Sequence, residues 1–293
     1  MQAIKIESLT HIYSKKTPFE KVALDNINLS IEEGEFVAIV GHTGSGKSTL
    51  VQHLNGLIKP DKKGKFGKVE IYGKSTCDKK SLKQLRFDVG MVFQYPEYQL
   101  FEDTVAKDVA FGPKNMKLAK EEIEGRVRRS LELVGVPYDD FADRSPFELS
   151  GGEKRRVAIA GVIAMNPKIL VLDEPFAGLD PEGVREITEL ILKLKKEVCP
   201  TIITVTHDMD SASTLADRVV ALCDGKIVAD GTPKEVFGNR ALIKEIGLDV
   251  PFIARVVDKL EEKGIVLDKT ILTAEELAAG LNKIKADKGV QNV

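Results

Sequence analysis

Two stretches far apart in the chain carry residue types suited to the same ligand. The first is GHTGSGKST, Gly41 to Thr49. Its Gly41, Gly46, Lys47 and Ser48 fit the pattern G-x-x-x-x-G-K-[ST], in which backbone N–H groups of a glycine-rich turn curl round a phosphate. The lysine then reaches the β and γ oxygens and the hydroxyl ligates Mg²⁺. His42, Thr43, Gly44, Ser45 and Thr49 complete that cradle. The second stretch runs from Leu149 to Asp180. It opens on a Ser150-Gly151-Gly152 turn, which offers free N–H groups and a positive helix end to an anion, and ends in the adjacent carboxylates Asp173 and Glu174. Paired acids at the end of an apolar run suit a Mg²⁺ ion and a water, with Asp173 as the metal ligand and Glu174 as the general base.

The surrounding elements must hold these groups in place. Phe36 to Val40 is a continuous apolar run that predicts a strand buried on both faces, leading straight into the glycine-rich loop. The segment after it, Lys47 to Leu57, reads as a helix with Leu50, Leu54 and Leu57 on one face. Ile169 to Leu172 and Thr201 to Thr206 are further buried strands, and Pro181 opens a helix carrying Val184, Ile187, Ile191 and Leu194. Residues 3–9 and 22–31 alternate apolar and polar, as antiparallel strands with one wet face do. Val69 to Tyr72 and Val89 to Phe93 read as strands, Ser81 to Phe87 and His207 to Ala216 as helices, and Arg218 to Ala229 as a hairpin around Asp224-Gly225. From about 103 to 149 helices alone are expected. A Gly/Lys-rich loop occupies 59–67, and two amphipathic helices follow residue 235, the second opened by a Thr273–Glu276 capping box, before a frayed 287–293. Strand and helix in alternation imply a mostly parallel sheet wrapped by helices.

Bulk properties narrow the field. With 293 residues the chain can bury one large core and hold a small appendage. A net charge of −2 gives no electrostatic reason to expect nucleic acid as a partner. Cys77, Cys199 and Cys223 lack the spacing of a disulfide framework or a zinc site and read as reduced thiols. The N-terminus lacks a secretory pattern, and no apolar run approaches the ~18 residues of a membrane span, so a membrane role must come through a partner.

Three more residues stand out. Gln94 and His207 each follow a predicted strand, where such residues commonly cap or face solvent; Tyr13 is either an edge-strand aromatic or a platform for a base. Taken in order, the phosphate loop, Gln94, Leu149-Ser150-Gly151-Gly152, Asp173-Glu174, Asp180 and His207 resemble the ATPase subunit of ATP-binding cassette (ABC) transporters over roughly residues 3–235. The resemblance implies an α/β fold of the P-loop NTPase ABC type. Its parts are a RecA-like parallel sheet core, an antiparallel β subdomain, and an inserted α-helical subdomain at about 103–165 that includes the signature helix. Residues 1–235 would form the nucleotide-binding domain, and 236–293 a C-terminal helical extension serving dimerisation. It also implies ATP and Mg²⁺ as ligands, Tyr13 as the adenine-stacking aromatic, and Gln94 as the link from the Mg²⁺ and water site to a transmembrane partner. Asp180 would cross the dimer, His207 would sense the γ-phosphate, and Ser150 and Gly152 would reach the nucleotide of the other subunit.

GHTGSGKSTLVQHLNGL, FQYPEYQLFEDTVAKDVAFGP and the helical C-terminus are similar to the energy-coupling-factor transporter ATPases, with Thr43 matching the second of their two related subunits. The implied partners are a sister ATPase subunit, a transmembrane coupling subunit and a substrate-binding membrane subunit. The implied location is peripheral, on the cytoplasmic face of the cell membrane, and the implied cargo a vitamin or a transition-metal ion. The aromatic loop after Gln94 would dock the coupling subunit, or else fold back on its own core. Glu153 departs from the family's usual glutamine and forms a capping box with Ser150, placing a carboxylate near a γ-phosphate. A soluble ABC ATPase of translation or DNA repair, and a non-catalytic nucleotide-binding scaffold, are the competing readings. The chain has neither the second cassette nor the long coiled coil of the former, and its intact Lys47, Glu174 and His207 argue against the latter.

Overall fold

The computed structural model describes residues 1–60 and 66–287. Residues 61–65 and 288–293 lie outside them, and with these most of the Gly/Lys-rich loop and the frayed end expected from sequence. The strands are β1 (Gln2–Tyr13), β2 (Lys21–Glu32), β3 (Phe36–Val40), β4 (Lys68–Ile71), β5 (Lys74–Ser75), β6 (Val89–Val92), β7 (Ile169–Asp173), β8 (Thr201–Thr206), β9 (Arg218–Cys223) and β10 (Lys226–Gly231). They form two sheets, a four-stranded antiparallel one in the order β2-β1-β4-β5 and a six-stranded one in the order β10-β9-β3-β8-β7-β6. In the larger sheet every pairing is parallel except β9 with β10.

The continuous apolar runs are explained by cores on both faces. In β7, Ile169 and Val171 face a core shared with the antiparallel sheet and the helix Lys47–Leu54, while Leu170 and Leu172 face a second core built with the helices Lys120–Leu133, Gly151–Ile163 and Pro181–Glu197. β3 alternates in the same way, sending Val37 and Ile39 into the first core and Ala38 and Val40 into a third. That third core is closed by Phe237, Ile243 and Ala254 from the helices Pro233–Gly238, Arg240–Glu245 and Phe252–Glu262, and by Leu272 just before the last helix. Those three helices therefore pack on the main sheet, whereas Ala274–Asp287 packs against Phe252–Glu262; Ile253, Val256, Leu277, Leu281 and Ile284 remain only half-buried.

Between β6 and β7 the described chain holds helices and no strand. Register aligns the parallel strands at one edge: Val40 pairs with Thr206 and Asp173 with Val205. Gly41, Glu174 and His207 thus leave three adjacent strands at the same level, the edge where open α/β sheets bind ligands.

Some boundaries differ from the sequence expectation. The first helix stops at Leu54 because Gly56 turns the chain at φ 68°, which leaves Leu57 exposed. His207 lies outside the following helix, which begins at Met209 under an Asp208 cap. At the last helix Thr273 caps the N–H of Glu276, but the Glu276 carboxylate reaches back to the N–H of Leu272, so the box closes one residue earlier than its sequence signature indicates.

Candidate functional site

The phosphate loop is held from both sides. A Cβ on Gly46 would come 2.4 Å from the Ala23 carbonyl oxygen, and the φ of 107° there excludes other residues in any case. At Gly41 a Cβ would lie 2.4 Å from the Leu222 carbonyl oxygen, so the loop rests directly on the end of β9. Gly225 in the β9–β10 turn donates its N–H to the Ser45 carbonyl at 3.0 Å. Within the loop the buried Lys47 donates Nζ to the carbonyls of Gly41 at 2.6 Å and His42 at 3.0 Å. Burial lowers its pKa, opposed by the charges of Glu174 and Asp173. Ser48 is exposed beside it. The Tyr13 and Thr49 hydroxyls lie 3.2 Å apart, and Tyr13, half exposed at the end of β1, borders a cleft of about 170 Å³ together with Lys21, Ala23, Gly44 and Gly46 to Thr49.

The acids stand at the end of β7. Burial, with the Glu174 charge adding to it and Lys47 opposing, pushes Asp173 up to about 6. A half-buried carboxylate this costly to ionise, with the Ser48 hydroxyl on the neighbouring loop, is the hard oxygen donor set that Mg²⁺ takes. Glu174 holds a left-handed φ of 51°, unusual for a side chain of its kind, while its N–H donates to the Val205 carbonyl at 2.8 Å. That strained turn aims the carboxylate at His207, whose Nδ1 lies 2.8 Å from Glu174 Oε2 and whose backbone N–H also donates to it at 3.4 Å. His207 is 72% exposed and Glu174 15%, so a protected carboxylate is held by a ring open to solvent.

Other candidates sit apart from this cluster. Gln94 follows β6 on the same sheet edge, exposed and without a side-chain hydrogen bond among the described residues. Ser150 caps the helix Gly151–Ile163 in a full capping box, donating its N–H to Glu153 Oε2 at 2.8 Å and accepting from the Glu153 N–H at 3.3 Å. Those bonds from Ser150 hold the Glu153 carboxyl below its ordinary range. Gly151 and Gly152 are exposed, and a Cβ on either would meet nothing closer than Arg156 Nη1 at 3.9 Å. Asp180 is exposed and caps the helix Pro181–Glu197 through the Gly183 N–H at 2.8 Å. The loop after Gln94 divides: Pro96 in a 3₁₀ turn and Leu100 just after it are buried, while Tyr98, beside Tyr95, and Phe101, beside Phe111, face solvent.

Sequence reasoning passed over Arg155. It is 4% exposed and joins three segments, bonding Glu97 Oε2 at 3.2 Å, the Ala177 carbonyl at 3.0 Å and the Pro175 carbonyl at 3.5 Å. The signal was its place four and eight residues before the buried Ile159 and Ile163, a cation on the apolar stripe of its helix. Lys21 was missed as well; it follows a turn and only the fold returns it to the phosphate loop, with Nζ 3.9 Å from a Cβ built on Gly44.

Comparison with known proteins identifies the family. The family model described as ABC transporter matches residues 24–177. The energy-coupling factor transporter ATP-binding protein EcfA2 of Clostridium perfringens (strain 13 / Type A) is 52% identical over 283 residues, covering 96% of this chain and 98% of the relative. Its namesake in Clostridioides difficile (strain 630) is 49% identical, covering 98% and 99%. Among solved structures, cbiO1 of Clostridium perfringens, part of the ABC transporter complex cbiONQ, has a TM-score of 0.73 at 41% identity, over 88% of this chain and 99% of that one. The dimeric ATP-binding cassette MJ0796 bound to ADP and Pi has a TM-score of 0.67 at 34% identity, over 78% and 98%. None of these names supports a soluble role in translation or DNA repair. With the phosphate loop, the acid pair and the histidine at one sheet edge, the chain belongs to the ABC transporter ATPases and, within them, to the energy-coupling factor transporter ATP-binding proteins.

Proposed function

We propose that this chain binds and hydrolyses ATP as one half of a dimer, with a sister subunit as the other half, and so powers import of a vitamin or a transition-metal ion. The observation that carries the reading is the Glu174–His207 contact of 2.8 Å at the sheet edge shared with Lys47 and Asp173. Lys47 and the loop amides of Gly41 to Thr49 hold the β- and γ-phosphates, and Tyr13 stacks on the adenine. Ser48, Asp173 and Gln94 would hold Mg²⁺, which when bound would offset charge on the phosphate oxygens. Glu174 takes a proton from the attacking water as the water oxygen bonds to the γ-phosphorus and ADP leaves. His207 keeps the carboxylate oriented. Ser150, Gly151, Gly152 and Asp180 face the partner's nucleotide, a role supported by their exposure here.

Residues 1–235 are proposed as the nucleotide-binding unit, with about 103–165 as its helical part, and 236–293 as the extension through which subunits pair. No helix among the described residues is long and apolar enough to cross a membrane. As an energy-coupling factor transporter ATPase the chain would sit peripherally on the cytoplasmic face, joined to a transmembrane coupling subunit and a substrate-binding membrane subunit. Exposed Tyr98 and Phe101 support docking at the loop after Gln94.

Glu174→Gln tests the central assignment. With the sister subunit carrying the equivalent change, turnover should fall by about 10²–10⁴ while ATP remains bound. Undiminished turnover would remove Glu174 as the base.

A further inference from the structure

The turn that braces the phosphate loop carries ligands of its own. Cys223 ends β9, Asp224 and Gly225 make the turn, and Gly225 donates to Ser45 in the loop. Opposite them is His42, the second residue of the loop. Its Nδ1 lies 2.9 Å from the Thr43 carbonyl oxygen. A carbonyl can only accept, so Nδ1 carries the proton and, in the neutral ring, Nε2 keeps its lone pair. That lone-pair nitrogen is 3.8 Å from Cys223 Sγ and 3.8 Å from Asp224 Oδ1, and Cys223 Sγ is 3.9 Å from Asp224 Oδ2. The three donor atoms all fall within 4.8 Å of one another.

These separations are long for hydrogen bonds between the groups, yet close to those of ligands sharing one ion. Around a tetrahedral zinc, with bonds of ~2.0–2.3 Å, donor atoms stand roughly 3.3–3.6 Å apart. Small rotations of an exposed aspartate and two half-buried side chains cover the difference. Imidazole nitrogen held in one tautomer by a backbone carbonyl, a thiol and a carboxylate suit zinc and disfavour Mg²⁺, which takes oxygen. Neither Ser48, Asp173 nor Glu174 belongs to the set. Cysteine spacing did not reveal it because His42 and Cys223 are 181 positions apart.

We propose that His42, Cys223 and Asp224 form a binding site for a zinc-class divalent cation, with the fourth position open to water, that ties the phosphate loop to the β9–β10 turn. On binding, the sulfur–metal bond forms as the Cys223 thiol gives its proton to solvent. An ion held there links His42 to the strand end on which Gly41 rests and so restrains the loop from outside the nucleotide site.

Titration of the full-length, reduced, metal-free chain with Co²⁺ tests this. One Co²⁺ per chain should bind with a thiolate-to-cobalt absorption band, reversed by Zn²⁺ and untouched by Mg²⁺. Cys223→Ser should abolish the band, Asp224→Asn should weaken binding while keeping it, and Cys77→Ser should leave the band unchanged. No band in the unsubstituted chain, a band surviving in Cys223→Ser, or equal affinity in Asp224→Asn would each overturn the proposal. Should Cys223→Ser fail to fold, Asp224→Asn and Cys77→Ser decide alone. The readout does not involve ATP turnover, so the site and the ATPase assignment fail or stand separately.

Discussion

The phosphate loop and the turn at Ser150 to Gly152 both present backbone N–H groups to an anion, but the rest of the chain treats them differently. The loop is held from within: Gly41 and Gly46 pack on backbone carbonyls, Lys47 sits among carbonyls and acids, and Gly225 braces the Ser45 carbonyl. The second turn is finished only by its own capping box, and its glycines face open space. Neither Gly151 nor Gly152 has a positive φ or a crowded Cβ to account for the absence of a side chain. A glycine that the fold does not require leaves room for something outside the fold. That contrast supports the proposed reading, in which the first turn is a half-site joined to its own acids and the second a half-site for a nucleotide on the partner.

The largest effects should separate the two turns. Lys47→Ala is expected to lower nucleotide affinity in the isolated chain and to cost on the order of 10²–10³ in turnover, the loss typical of one preorganised donor. Gly152→Asp should leave the fold and the isolated chain's affinity intact, yet reduce turnover of the assembled dimer by about 10². If affinity in the isolated chain falls equally in both variants, the two turns serve one nucleotide and the distinction collapses.

Next in size is Arg155→Met. Removing the cation strands Glu97 and two carbonyls, and breaking a buried pair of this kind costs about 3 kcal/mol in urea unfolding. Because Arg155 joins the second turn's helix to the segments after Gln94 and Glu174, a change in stability alone, with dimer turnover preserved, would show that the link is structural only.

Asp173→Asn probes the other half. A carboxyl raised from 3.8 to about 6 binds more protons folded than unfolded, so stability falls as pH rises through that window and the cost is complete above it. The amide should therefore stabilise the nucleotide-free chain by about 1–2 kcal/mol above that window, after discounting for partial exposure, while abolishing turnover. Thermal melts on both sides of the window check the sign; equal gains on both sides would point to packing. Smallest is Glu153→Gln. An amide oxygen still accepts the Ser150 N–H, so stability should move by less than about 0.5 kcal/mol. ATP-driven dimerisation should tighten if the carboxylate repels a γ-phosphate, and unchanged dimerisation would show that the acid only starts the helix.

Local order was legible where one segment sufficed. Runs buried on both faces announced β3, β7 and β8, and the glycine-lysine pattern named its ligand without any neighbour, because loop amides and the residues that shape them are adjacent in sequence. The Ser150–Glu153 cap was readable for the same reason. Tertiary structure alone decided which strands lie side by side, and hence that Lys47, Glu174 and His207 share one edge. It turned Arg155 from one charge in a polar run into a buried joint, and it brought Cys223 to His42. Parallel pairing sets residues well over a hundred positions apart at the same level, and no local periodicity records which strand will be the neighbour.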